Sequence, residues 1–368
     1  MHIAIMIDHR RFNDERAWFN RTVVGLVSAG VQVTRIVPEE DPDDQYVSLT
    51  ASVLLEQSIM PWARKSRLES LAAQLKSAGV SLIHAMGRSV WHHAVEVGSL
   101  ADCPVVLDIW GARDVRHAAR LSRSPAVSGV FSPTTGLTEL LKKHINPSLV
   151  CTIPIGVHLS DERKNILGDT NPAENSTDSL HPVAVLAGAE ARLEHLNEII
   201  DGFAAIHAEY PGCMLFADID SAISSKAWAR AQKRGILEAF SMIPSVNQHR
   251  RLVMKADILL MPAPTGRSSS FPLEAMAGLM IPIMALDETV SQPKNPKTAR
   301  LLDQPTAEDW CRVLRETLRN PEQSRSMASA AREWVAREHR MSSQISDSFD
   351  AYEMVLTGGT VRLRNKPA

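Results

Sequence analysis

Residues 256–285 read ADILLMPAPTGRSSSFPLEAMAGLMIPIMA. The apolar run at 257–264 has the length and content of a strand buried on both faces. Gly266, Arg267 and three serines follow as a loop. Ser270 stands where a helix N-cap belongs, and Pro272 falls in the first turn, where its missing N–H costs nothing. FPLEAMAGL at 271–279 is then a helix, and IPIMAL at 281–286 a second strand. One strand–helix–strand unit fits in 30 residues, the building block of a parallel sheet. Its helix start offers unpaired N–H groups and the positive end of the dipole to an anion. Arg267, Ser268, Ser269 and Ser270 would surround such an anion, for example a diphosphate. Glu274, one turn further in, repels phosphate, so its ligand partner is a hydroxyl donor such as a ribose. An acid in a first turn also gains a few tenths to ~1 kcal/mol from the dipole alone, so a structural role for Glu274 stays open.

The same alternation extends both ways from this unit. HIAIMID (2–8), VQVTRIVP (31–38), SLIHAMG (81–87), PVVLDIWG (104–111), AVSGVFSP (126–133) and LVCTIPIGV (149–157) read as strands. HRRFNDERA (9–17) reads as a loop, followed by a helix carrying Trp18, Phe19, Val23, Val24, Leu26 and Val27. Further helices fall at SVWHHAVEVGSLA and TTGLTELLKKH. Residues 158–181, HLSDERKNILGDTNPAENSTDSLH, are polar and rich in turn formers, and predict a linker. The alternation then restarts with strands at 182–188, 213–220 and 239–244, and with helices at 194–211, 227–236 and 249–256. After IPIMAL, two amphipathic helices (306–320 and 321–339) and a last one (342–356) close the chain. The class is α/β, with two successive doubly wound parallel-sheet domains over 1–157 and 182–340. Residues 341–368 hold a helix returning to the first domain, and a tail.

Bulk properties agree with this class. The chain has 368 residues, enough for about two domains, with 44% apolar and 22% charged residues and a net charge of −2. That charge predicts no nucleic-acid partner. Cys103, Cys151, Cys213 and Cys311 form no CxxC pair, which points away from zinc or disulfides and toward a reducing cytoplasm. The start, MHIAIMID, is too short and too acidic for a signal peptide. The longest apolar run, 275–286, holds 12 residues and a proline, against the roughly 20 of a membrane helix. His92 and His93 have no partner at metal spacing, so no metal is expected.

Two doubly wound sheets bind ligands beyond their strands' carboxyl ends, and a cleft between the domains suits group transfer with water excluded. Gly188, ending a strand, allows a close backbone approach there. Arg10 and Arg11, after the first strand, are candidates for holding an acidic acceptor or phosphate. The segment SIMPWARKSRLESLAAQLK (58–76) pairs Trp62 and Leu68 with Arg64, Lys65 and Arg67, a basic amphipathic pattern compatible with a solvated face or with peripheral contact to an anionic membrane.

The motifs taken in order resemble the retaining GT-B glycosyltransferases of family 4. Residues 256–277 match that family's strand, Pro-Ser loop and Glu-Ala-Met-Ala helix without a gap. SLIHAMG resembles its His-Ala-His-Gly strand end, PVVLDIWGARD its Trp-Gly-x-Asp strand end, TIPIGV its interdomain hinge, and 320–356 its C-terminal helices. The resemblance covers nearly the whole chain. It implies a GT-B fold and a nucleotide-sugar donor used as substrate, with no separate cofactor. It further implies transfer with retention to a glycan, lipid or small-molecule acceptor. It places Trp110 and Asp114 toward the sugar or acceptor and Glu274 on the ribose. There are departures. The first Glu of the family's Glu-x7-Glu pair is Gly266, and the second His of its His-Ala-His is Met86. Its Arg and Lys for the donor diphosphate fall on Ala189 and Glu194, with Arg192 as the nearest substitute. Losing one preorganised donor to a leaving diphosphate costs about 10²–10³ in rate. The alternative is therefore a catalytically degenerate relative that binds, regulates or scaffolds.

Overall fold

The computed structural model describes residues 1–39, 50–55, 61–159, 181–187, 192–219, 221–243, 253–262 and 266–358. The chain divides into two compact units, Met1–Gly156 with Met341–Ala368, and Val157–Arg340. Most of the polar segment at 158–181 lies outside the described residues, as do the tail from 359 and the first half of the helix expected at 249–256.

The first unit is built on seven parallel strands: β1 (His2–Ile7), β2 (Gln32–Val37), β3 (Ala51–Leu54), β4 (Leu82–Met86), β5 (Val105–Asp108), β6 (Val127–Ser132) and β7 (Val150–Thr152). They lie in the order β3-β2-β1-β4-β5-β6-β7. All residues of β1, β4 and β5 are buried, because helices cover both faces of a doubly wound sheet. The strand order reverses between β1 and β4, the point where such sheets receive ligands.

The helices are α1 (His9–Ser28), α2 (Pro61–Ser77), α3 (Trp91–Ala101), α4 (Val115–Leu121) and α5 (Thr135–Lys142). The stretch 9–17 is therefore helical and not a loop. Asp8 caps it, its carboxylate accepting the Arg11 N–H at 2.7 Å, a contact worth ~1 kcal/mol. The polar sequence hides this helix because it turns Arg11 and Glu15 inward, with Glu15 off helical geometry at φ −128°. Leu68, Leu71, Ala72 and Leu75 of α2 face this unit's own core. Of Trp62 only the backbone is described.

The second unit repeats the plan with six parallel strands in the order β10-β9-β8-β11-β12-β13. These are β8 (Val183–Ala187), β9 (Met214–Asp218), β10 (Phe240–Ile243), β11 (Ile258–Met261), β12 (Ile281–Ala285) and β13 (Arg300–Leu302). Its helices are α6 (Leu193–Glu209), α7 (Ser221–Lys233), α8 (Phe271–Ala277), α9 (Ala307–Arg319) and α10 (Pro321–Glu338). Leu196, Ile199, Ile200 and Phe203 of α6 join Trp310 and Leu314 of α9 in one core.

The last helix, α11 (Met341–Leu356), packs on the first unit. Gln344 Oε1 accepts from Trp18 Nε1 at 3.1 Å and from the Gly156 N–H at 2.6 Å. Tyr352 reaches His84 of β4 at 2.7 Å.

Candidate functional site

In the first unit the carboxyl ends of β1, β4 and β5 carry a polar cluster. Asp8 and Gly87 meet at the β1/β4 reversal, where the Asp8 N–H donates to Met86 O at 2.9 Å. Gly87 has φ +99°, and a Cβ there would lie 2.2 Å from the Asp8 carboxylate, so this approach requires glycine. Arg88 and Asp114 pair at 3.4 Å and tie the segments after β4 and β5 together. Asp114 is half-buried in the turn that leads into α4.

Trp110 is buried two residues beyond β5. The Arg11 guanidinium lies 3.3 Å from the centre of its ring, and Trp18 packs edge-on against it at 4.8 Å. Arg11 is 3% exposed and donates to Asp108 at 3.0 Å. Arg11 thus spends its charge inside the domain on Asp108, whereas Arg10 is exposed and pairs with Asp14 at 3.7 Å. Burial pushes the Asp108 carboxyl up to about 6, although Arg11 and a hydrogen bond from Trp110 both oppose the rise. Burial, and then Arg11, lowers His84 to about 3, so His84 is neutral. Burial raises Tyr352, so its hydroxyl keeps its proton beside His84 Nδ1, 2.7 Å away. The other ring nitrogen, Nε2, lies 3.9 Å from Asp108 and has no hydrogen-bond partner among the described residues.

In the second unit β11 leads through 266–270 into α8, beside the β8/β11 reversal. Ser270 holds the N-cap place without a side-chain cap bond, and Ser269 Oγ instead accepts the Phe271 N–H at 3.3 Å. Ser268 is 3% exposed, and its buried hydroxyl has no partner among the described residues. Glu274 is 6% exposed in the first turn of α8. Gly266 has φ +61°. Its N–H donates to Asp287 at 3.0 Å, and Asp287 also accepts the Thr289 N–H and hydroxyl at 2.9 and 2.6 Å. Asp287, unforeseen from sequence, pins the serine-rich segment to the loop after β12. Arg267 is half-buried next to Gly266.

Arg192 is exposed and extended just before α6, and Glu194 is exposed in that helix's first turn. Gly188 and Ala189 lie outside the described residues. The candidates thus divide between the units, Trp110 and Asp114 in the first and Arg192, Arg267, Ser268, Ser269, Ser270 and Glu274 in the second. Among the described residues, no group of three His, Cys, Asp or Glu side chains is placed to hold a metal ion. No described helix is long and apolar enough to cross a membrane.

No protein-family model matches the sequence, and comparison with curated proteins finds no significant match. Solved structures do match over nearly the full length. Sucrose-phosphate synthase from Thermosynechococcus elongatus is similar with a TM-score of 0.74 at 14% identity, over 98% of this chain and 100% of that one. Anabaena HepE, solved in complex with UDP and glucose, gives 0.73 at 11%, over 96% and 99%. A glycosyltransferase from Rickettsia africae gives 0.71 at 10%, over 97% and 99%. At such identities the likeness is one of fold, and the chain has the two-domain GT-B fold of these solved enzymes.

Proposed function

We propose that the protein is a glycosyltransferase that moves a sugar from a nucleotide-sugar donor to an acceptor hydroxyl with retention of configuration. The observation that carries this reading is the buried Glu274 in the first turn after β11, beside the sheet's reversal point. A carboxylate there accepts hydrogen bonds from two ribose hydroxyls and orients the nucleoside. The Ser268 hydroxyl, buried without a partner among the described residues, supports the reading, since a buried polar group without a partner costs ~1–3 kcal/mol that a ligand oxygen relieves. Arg267 and the 268–270 segment hold the diphosphate, with Arg192 as a further cation. Trp110, just beyond the carboxyl end of β5, and Asp114, in the turn that leads into α4, are the first unit's own candidates for contact with the sugar or acceptor. The solved HepE complexes with UDP and with UDP-glucose make uridine nucleotides the first donors to test.

One observation favours a second reading, a nucleotide-binding protein without transferase activity. Gly266 stands where the resemblance has a glutamate, and its N–H is engaged by Asp287. Titration calorimetry with UDP and GDP, followed by assays with UDP- and GDP-sugars, separates the two. The proposal expects diphosphate binding below millimolar and a product whose anomeric configuration by NMR matches the donor. Binding without turnover selects the second reading. No binding at millimolar nucleotide overturns both.

A further inference from the structure

Between Asp108 and Glu139 the chain carries four arginines and one acid, Asp114. Three of the arginines fall where the chain leaves β5 through the turn Ala112–Asp114 and enters α4. Arg113, Arg116, His117 and Arg120 follow the i, i+3, i+4, i+7 spacing of a single helical face. The three arginines are exposed, and His117 is half-buried. The opposite face of α4, made of Val115, Ala118 and Leu121, is buried in the first unit's core. At 1.5 Å per residue the row from Arg113 to Arg120 is about 10 Å long.

Little negative charge answers this row. Asp114 pairs with Arg88 at 3.4 Å. Glu139, on α5, pairs with Lys142 at 2.8 Å. Arg120 donates to His117 Nδ1 at 2.8 Å, which uses an N–H and neutralises no charge. Among the described residues no carboxylate pairs with Arg113, Arg116 or Arg120. His117 registers the excess. Burial first, and then Arg88, His92 and Arg120, lower its basicity, and Asp114 opposes them.

Arginine recognises carboxylate and phosphate through paired N–H donors. Three arginines in a row of about 10 Å match a ligand with several anionic groups along a chain better than a single anion. The exposed face carries no large apolar residue, whereas a helix lying on a bilayer needs an apolar face to bury. The ligand that fits is therefore water-soluble, extended and polyanionic. α4 also starts from the carboxyl end of β5, the side on which doubly wound sheets take ligands.

We propose that this face binds an acidic oligosaccharide, with Arg113, Arg116 and Arg120 on its carboxylates, and that such a chain is the acceptor. The charge row supplies the acidic and extended character of the ligand. Its being a glycan and an acceptor rests on the glycosyltransferase reading.

The test is calorimetric titration of the full chain with trigalacturonate, three sugars with one carboxylate each, and with maltotriose as the neutral control. Trigalacturonate is expected to bind, with maltotriose weaker by roughly tenfold or more. Its binding should weaken as salt rises, because exposed charges are screened. Arg113→Gln with Arg116→Gln and Arg120→Gln is expected to cost roughly tenfold or more in trigalacturonate affinity. The melting temperature should not change, since all three side chains are exposed. Lys226→Gln with Lys233→Gln removes exposed charge from α7 of the second unit and should leave trigalacturonate binding as it is. UDP titration of the same proteins separates this inference from the glycosyltransferase reading. UDP binding alike in parent and arginine variant, with trigalacturonate lost only in the variant, supports both. Trigalacturonate binding without UDP binding keeps the anionic site and overturns its role as an acceptor site. No trigalacturonate binding overturns the inference whether or not UDP binds. Maltotriose binding equally well, or an equal loss in the lysine variant, also overturns it. Tetrathymidylate, with the same three charges, binding more tightly than trigalacturonate would overturn it in favour of a nucleic-acid ligand.

Discussion

The guanidinium carbon of Arg11 lies 3.3 Å from the centre of the Trp110 ring, while the same group donates to Asp108 at 3.0 Å. Arg11 leaves from the end of β1 and Asp108 ends β5, so the pair joins two strand ends across β4. Removing one member of a buried pair leaves the other charge without compensation, at about 3–5 kcal/mol. Arg11→Met should lower the unfolding free energy from urea titration by that amount. Arg11→Met with Asp108→Asn should recover much of the loss, because no charge is then stranded. A single variant as stable as the parent would show that the pair contributes nothing to the fold.

Glu274 carries the functional reading, and its substitution separates ligand from scaffold. Glu274→Gln keeps the shape and removes the charge. Nucleoside diphosphate binding should weaken by ~1–3 kcal/mol, the value of a charged hydrogen bond, and the melting temperature should move little. Calorimetry and thermal melts on the same preparation check this. Normal binding with an early melt would make Glu274 a structural residue.

Much of the architecture is legible in the sequence, for a physical reason. Strands buried on both faces must be nearly all apolar, so β1, β4, β5, β8, β11 and β12 stand out as short hydrophobic runs. β3 does not, because its residues are mostly exposed at the sheet edge. The first half of α1 is hidden for a different reason. Arg11 and Glu15 are polar yet buried, and the partner that makes burial of Arg11 tolerable, Asp108, lies 97 residues away. Periodicity carries no trace of such a partner. The site shows the same division. Glu274 and its serines are readable because cap, proline and acid fall within one helical turn. Asp287 is not, since its role appears only when the chain brings it back to Gly266, 21 residues earlier.

The backbone at Gly266 changes what restoring a glutamate there would do. Its φ of +61° lies in the left-handed region, which costs a side-chain-bearing residue about 1–3 kcal/mol. A carboxylate at 266 would also stand next to the buried Asp287. Gly266→Glu should therefore destabilise the second unit and fail to improve diphosphate binding. Gly266→Asn, better suited to that conformation, should be the milder change. Glu194→Lys is the cleaner test of the family's charge pattern, because Glu194 is exposed and its loss from a first turn costs only ~0.3–1 kcal/mol. Tighter UDP binding by Glu194→Lys alone, measured by calorimetry, would place that position near the diphosphate. An unchanged affinity would remove it from the site.

His84 gives the first unit an acid-sensitive lock. It titrates near 6.5 when unfolded and near 3 in the fold, where burial and then Arg11 disfavour its charged form. As pH falls from 6.5 toward 3, the unfolded chain takes up a proton that the folded chain refuses. Stability from this residue is complete above pH 6.5 and is lost with acid, at up to about 1.4 kcal/mol per pH unit. Asp108 works the other way. Its carboxyl is raised from 3.8 to about 6, so the fold takes up that proton first, and stability from Asp108 rises as pH falls from 6 to 3.8. The two partly cancel in the parent, which would mask either one in a single melting curve. His84→Gln removes one of them and keeps a hydrogen-bonding partner for the Tyr352 hydroxyl. The measurable quantity is the stability gap between parent and variant at each pH, in which unaffected groups cancel. That gap should be largest at pH 7 and above, where the parent keeps its neutral imidazole at no cost. It should narrow below pH 6.5 and close or invert by pH 5, because only the parent then pays to keep residue 84 uncharged. Urea unfolding at half-unit pH steps reads this directly. A gap that stays constant from pH 7.5 to 5 would mean that His84 titrates alike in both states and that its burial does not set the acid response of this domain.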